Sequence, residues 1–152
     1  MKKILISPYS RKLRKEGKNP KNFPYWTDVV AKLRERGFYI IQIGIKGEDL
    51  IGADEVKFDL QLESLKEELN DCFTWISVDN FFNHFASFYR KKGIVIFGKS
   101  DPNIFGYEEN INLLKDRKYL RSNQFDIWEN ETYSEEVFIN TDVVIVSVES
   151  IV

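Results

Sequence analysis

Short apolar runs alternate with amphipathic stretches along most of the chain. Ile4-Leu5-Ile6, closed by Ser7-Pro8, has the pattern of a strand buried on both faces of a parallel sheet. Residues 8–23 follow as a long polar and basic stretch. Pro24 then opens a helix at its first turn, Trp26, Val29, Val30 and Leu33 form one face of it, and Gly37 ends it. Tyr39–Ile43 predicts a second strand, followed by a glycine-punctuated loop, Gly44–Gly52. Leu62, Leu65 and Leu69 mark one side of a second helix, and Thr74–Val78 a third strand. Asp79 and Asn80 can each cap the next helix, which carries Phe81, Phe82, Phe85, Ala86 and Tyr89 on one side. Gly93 breaks that helix before a fourth strand, Ile94–Phe97, and a loop, Gly98-Lys99-Ser100-Asp101-Pro102. Residues 103–134 are polar-aromatic without a readable period. Glu135–Ile139 reads as a short helix, and Val143–Val148 as a final strand or an interface element.

Strands alternating with helices predict a single α/β domain around a parallel sheet with right-handed crossovers. Such sheets bind ligands outside the carboxyl ends of their strands. That rule selects Ser7–Phe23, Gly44–Gly52, Asp79–Phe82 and Gly98–Phe105, and the chemically interesting residues fall in these loops. The length of 152 residues suits one domain, and no internal repeat suggests a second.

Charge sharpens this picture. The net charge of −2 argues against a general nucleic-acid binder. Yet Lys2 to Lys21 holds eight Lys or Arg and one acid, Glu16, whereas Glu129–Glu136 is acidic. A basic loop on a slightly acidic protein suits a small anionic ligand, or is simply solvated. Met1-Lys2-Lys3 leads into only three apolar residues, so no signal peptide is read, and no run approaches the ~20 apolar residues of a membrane span. The lone Cys72 reads as a buried small hydrophobe. A reduced, cytoplasmic protein is the expectation. One Cys and one His leave no zinc ligand set.

Within the selected loops, Ser10, Arg11 and Lys21 precede the first helix, where side-chain cations and backbone N–H groups favour phosphate oxygens; the spacing is not that of a P-loop. Glu48 stands after the second strand, where a carboxylate often accepts hydrogen bonds from a ribose, or is a solvated loop acid. Asp79 and Asn80 close the third strand. They cap the helix or help to set its first N–H groups against a diphosphate, with Asp79 orienting basic groups rather than meeting phosphate. His84, the only histidine, is either a satisfied core side chain or a ligand contact, and its place within a helix makes it a poor general base. Lys99, Ser100 and Asp101 line the pocket from the fourth strand or form an ordinary turn.

Taken together, these segments resemble the C-terminal domain of family 9, heptosyltransferase-like glycosyltransferases. The family's S-R-x-n-K-x-W-P segment is matched by Ser10-Arg11 and Lys21-Asn22-Phe23-Pro24, with Phe23 in place of Trp. Its glycine-flanked acid is matched by Gly44 to Glu48. Its D-[TS]-G-x-x-H-x-A motif is matched in part by Asp79-Asn80-Phe81-Phe82-Asn83-His84-Phe85-Ala86. F-G-x-[ST]-D-P is matched fully by Phe97-Gly98-Lys99-Ser100-Asp101-Pro102. The resemblance covers residues 3–106. Residues 107–152 are a C-terminal extension, whose stretch from Asn110 to Arg121 is similar to small bacteriophage-encoded members of the group.

The resemblance implies a single Rossmann-like three-layer domain, the donor-binding half of a GT-B glycosyltransferase, with Lys21 on phosphate, Glu48 on ribose and the Asp79–His84 turn at the diphosphate. The implied ligand is a nucleotide-sugar or related nucleotide, often ADP-linked, with no metal or further cofactor. Two departures matter: Phe81 replaces the motif glycine, bringing bulk where backbone would approach phosphate, and Asn80 replaces a small hydroxyl residue. The acceptor-binding half, expected to supply the catalytic base, has no counterpart in these residues. Activity would therefore need a partner subunit or a homodimer, in a bacterial or phage-infected cell. The alternatives are a non-catalytic binder that senses or sequesters a nucleotide ligand, and an interaction domain with a decayed pocket.

Overall fold

Leu5 lies between Ile41 and Trp75, at the centre of a six-stranded sheet in which every pairing is parallel. The computed structural model describes residues 1–14 and 17–151, so Lys15 and Glu16 of the basic loop and Val152 of the tail lie outside the described residues. The strands are β1 (Lys3–Ser7), β2 (Tyr39–Gly44), β3 (Glu55–Phe58), β4 (Thr74–Val78), β5 (Ile94–Phe97) and β6 (Ile111–Leu114). The helices are α1 (Trp26–Glu35), α2 (Leu62–Asp71), α3 (Phe81–Phe88), α4 (Pro102–Phe105) and α5 (Thr141–Ile151). The strand order is β3-β2-β1-β4-β5-β6, so the winding reverses between β1 and β4.

Alternation along the strands divides the core into two layers. Ile4, Ile6, Ile40, Ile76, Val78, Ile94 and Ile96 pack with Trp26, Val29, Val30 and Leu33 of α1 and with Val144, Ile145 and Val148 of α5. Leu5, Ile41, Ile43, Trp75, Val95 and Phe97 pack with Leu65 and Leu69 of α2 and with Phe82, Phe85 and Ala86 of α3. This is the three-layer α/β arrangement expected of strands whose two faces are both buried. Cys72 follows α2 within the second layer, buried, its thiol pushed up to about 11 by loss of hydration.

Four expectations from the sequence about these elements need correction. Val143–Val148 is not a strand but part of α5. Thr141, Val144, Ile145 and Val148 recur at helical spacing and are buried, and packing against α1 overrides the strand preference of a β-branched run. Glu135–Ile139 contains only a single 3₁₀ turn, Glu135–Val137, capped by Ser134. Residues 103–134 are not uniformly irregular: they hold most of α4 and β6, with 3₁₀ turns at Arg117–Tyr119 and Trp128–Asn130. The edge strand β3 has no counterpart among the elements read from the sequence. At α1, Pro24 stands just before the Tyr25 cap rather than in the first turn.

Candidate functional site

The loops leaving β1 and β4 are bound to one another by side chains. Ser10 Oγ donates to the Asp79 carbonyl (2.8 Å), and Asn80 Nδ2 reaches Ser7 Oγ (3.0 Å) and the Tyr9 carbonyl (3.2 Å). Asn80 is also the cap of α3, accepting from the Phe82 N–H (2.9 Å), which settles the choice between Asp79 and Asn80. The buried Asn19 holds the long first loop in shape, donating to the Arg11 carbonyl (2.9 Å) and accepting from the Lys21 N–H (3.0 Å).

Relieved of capping, the Asp79 carboxylate is buried and faces the Lys21 ammonium at 3.4 Å. Lys21 also stands 5.2 Å from the centre of the Trp128 ring. Glu48 folds back over the end of β2, where its Oε1 accepts from the Ile45 N–H (2.8 Å). A Cβ at Gly44 would collide with that carboxylate, so only glycine lets the acid tuck in. Burial pushes the Glu48 carboxyl above its ordinary range. The loop carrying it is set by the buried Gln42, which donates to the Asp49 carbonyl (2.9 Å) and accepts from the Ile51 N–H (3.1 Å).

These groups open onto one cavity of about 590 Å³, lined by Ser10, Arg11, Lys21, Glu48, Asp79, Asn80 and His84. Ile43, Ile45, Leu60, Leu62 and Leu65 line it as well, as do the exposed Phe81 ring and Trp128. His84 is not a core histidine. It is exposed on α3, with Nδ1 2.7 Å from the Tyr107 hydroxyl. Arg11 is exposed and paired with Glu129 at 3.3 Å.

The fourth loop does not join them. Lys99, Ser100 and Asp101 do not line the cavity, and the side chains of Lys99 and Asp101 bond into residues 117–134 instead. Lys99 Nζ donates to the Thr132 carbonyl (2.7 Å) and reaches Glu131 (3.4 Å). Asp101 caps α4 and takes a two-pronged contact from Arg117 at 3.1 and 2.8 Å, which holds its carboxyl below the ordinary range. Ser100 is buried. Even Gly98 serves packing: a Cβ there would strike Phe138 and Val137 at 2.7 and 2.9 Å.

Sequence reasoning missed Trp128, Gln42 and Arg121. Arg121 is buried and donates to the Asp126 carbonyl (2.8 Å), the Ile127 carbonyl (3.0 Å) and Glu131 (3.1 Å), with its guanidinium 4.0 Å from the centre of the Trp128 ring. It fixes the turn that brings Trp128 to the cavity. Among the described residues, no group of three or more His, Cys, Asp or Glu could hold a metal ion. No helix among them is long and apolar enough to cross a membrane.

A parallel sheet of this order, with a cavity at the carboxyl ends flanking the reversal of winding, is a Rossmann-like fold, and it matches the fold of GT-B glycosyltransferases. The solved structures it is similar to are specific. ADP-heptose LPS heptosyltransferase II of E. coli superposes at TM-score 0.72 with 11% identity, over 99% of this chain and 46% of that one. The family 9 glycosyl transferase of Veillonella parvula gives 0.74 with 17% identity, over 99% and 45%. E. coli heptosyltransferase WaaC with ADP gives 0.66 with 16% identity, over 99% and 44%. At these identities the likeness is one of fold, and the chain spans less than half the length of each of these three. No family model matches the sequence, and no curated protein matches it.

Proposed function

We propose that the domain holds a nucleoside diphosphate sugar across the carboxyl ends of β1, β2 and β4, as the donor-binding half of a glycosyltransferase. The observation that carries this is the Lys21–Asp79 pair, set beside the N-terminus of α3 at one side of a cavity that also presents Ile43, Ile45, Leu60 and Leu62. Phosphate oxygens take the Lys21 ammonium and the first N–H groups of α3. Glu48, beyond its bond to Ile45, has acceptor capacity for ribose hydroxyls. The apolar part, lined by Ile45, Leu60 and Leu62, suits a base. Neighbours solved with ADP and with ADP-2-deoxy-2-fluoro heptose make an ADP-sugar the first ligand to try.

In transfer, an acceptor oxygen forms a bond to the anomeric carbon as the bond from that carbon to the phosphate oxygen breaks. The nucleoside diphosphate leaves with the electron pair, and the acceptor's proton passes to a base. Lys21 and the N-terminus of α3 steady the charge growing on the leaving group. We read the acceptor site and the base as supplied from outside these residues, in keeping with a donor-binding domain of the C-terminal type. The Asn110–Arg121 stretch supports a narrower placement among small bacteriophage-encoded members. A second reading, a non-catalytic nucleotide binder, is favoured by Phe81, 62% exposed where the family's glycine would stand.

Titration calorimetry against ADP-, UDP- and GDP-sugars tests both. Binding tighter than about 1 mM, roughly −4 kcal/mol, is expected for at least one. No heat from any of them at that concentration removes both readings, and binding without turnover under any pairing leaves the second.

A further inference from the structure

The Trp128–Asn130 turn lies outside the segments whose sequence motifs resemble the glycosyltransferases, yet it supplies an indole to the cavity. Three contacts hold the turn there. Arg121, its side chain 1% exposed, bonds to the two carbonyls just before Trp128 and lies 4.0 Å from the ring centre. Glu129 ties the turn to the first loop through Arg11 at 3.3 Å. Lys21, the candidate phosphate contact, stands 5.2 Å from the ring centre. A buried arginine fixing one partly exposed indole beside a cationic pocket is an arrangement for presenting an aromatic surface, not for filling a core.

We infer that Trp128 is the platform on which the sugar of the bound ligand packs. The inference rests on the sugar-nucleotide reading above, and it assigns a part of the ligand to a residue. The side of the cavity toward β2 and β3 presents Ile43, Ile45, Leu60 and Leu62, with Lys57 and Asp59 among them, and the side toward β1 and β4 presents the Lys21–Asp79 pair. Trp128 is on the Lys21 side. The group that follows the phosphates there is the sugar, whose C–H face packs on an indole. Phosphate also draws the flexible Lys21 chain toward itself, leaving the ring to the sugar.

The test compares ADP with ADP-heptose, and UDP with UDP-glucose, by calorimetry on the wild-type protein, Trp128→Ala and Trp128→Phe. For whichever pair the wild type binds, Trp128→Ala is expected to leave nucleotide affinity within about twofold and to weaken the sugar nucleotide at least fivefold. Trp128→Phe should keep most of the difference. Equal weakening of both ligands, or of neither, overturns the assignment while the sugar-nucleotide reading stands. A wild type that binds no member of either pair overturns the assignment, and the sugar-nucleotide reading falls with it if GDP-sugars give no heat either. Should Trp128→Ala fail to fold, the wild type still decides. Trp26 and Trp75 are buried, so iodide quenching reports Trp128, and the sugar nucleotide must shield it where the nucleotide alone does not. Equal shielding by the two also overturns the inference.

Discussion

Two ion pairs stand at the ends of neighbouring strands and have opposite fates. Lys21–Asp79, beside β1 and β4, lines an open cavity, and its ammonium lies 3.4 Å from the carboxylate with an indole nearby. Arg117–Asp101, beyond β5, is closed by two contacts and a helix cap, and it faces the chain's own residues 117–134. Both acids follow the carboxyl ends of parallel strands, where such sheets bind ligands. The difference is bonding capacity: a polar residue at a strand end is available to a ligand only where the protein has not already used it. Lys99 makes the same point, since its ammonium is taken by the Thr132 carbonyl and Glu131.

The largest test of this contrast is Arg121→Ala. It strands two carbonyls and leaves Glu131 with Lys99 alone at a site where the arginine is buried, and about 3 kcal/mol of stability should be lost in chemical denaturation. A loss below about 1 kcal/mol would mean that residues 121–131 do not depend on this anchor. Next is Lys21→Ala set against Lys99→Ala. The first should weaken an anionic ligand by roughly 1.5–3 kcal/mol, as for a charged hydrogen bond, and the second should leave calorimetric affinity within about twofold. Equal effects would erase the distinction between the two loops.

The smallest effect expected is at Asp101. Its carboxyl is lowered in the folded protein, chiefly by Arg117, so its contribution is present above the ordinary carboxylate range. That contribution is lost as pH falls through the lowered folded value. Asp101→Asn should keep the cap and flatten this acid dependence. Asp101→Ala should also lose the cap, about 1 kcal/mol. Melting curves from neutral to strongly acid pH check both, and an unchanged acid dependence in Asp101→Asn would break the assignment.

The central strands and the first three helices were legible because both sheet faces are buried and each element carries a full apolar period. The edge strands were not: Glu55–Phe58 and Ile111–Leu114 are short, half-buried and mixed in polarity. α5 was read as a strand from its run Val143-Val144-Ile145-Val146, because what decides its form is burial against α1, which no local preference records. At the site, Lys21, Glu48 and Asp79 were found from their place after strands. Lys99, Ser100 and Asp101 were selected by the same rule, although residues that use their bonding capacity come 16 to 33 positions later. Trp128 escaped notice because Arg121, through carbonyls and an aromatic face rather than through any periodic pattern, is what places it.

Cys72 has a use that follows from its position at the junction of α2 and β4. Its Sγ donates to the Leu69 carbonyl at 3.1 Å, Lys91 clasps its own carbonyl at 2.6 Å, and its thiol is raised to about 11. A thiol-specific reagent therefore meets almost no thiolate while that junction stays shut. Its rate of modification becomes a clock for how often this corner of the domain comes apart, read from a sulfur that does not line the cavity at the strand ends.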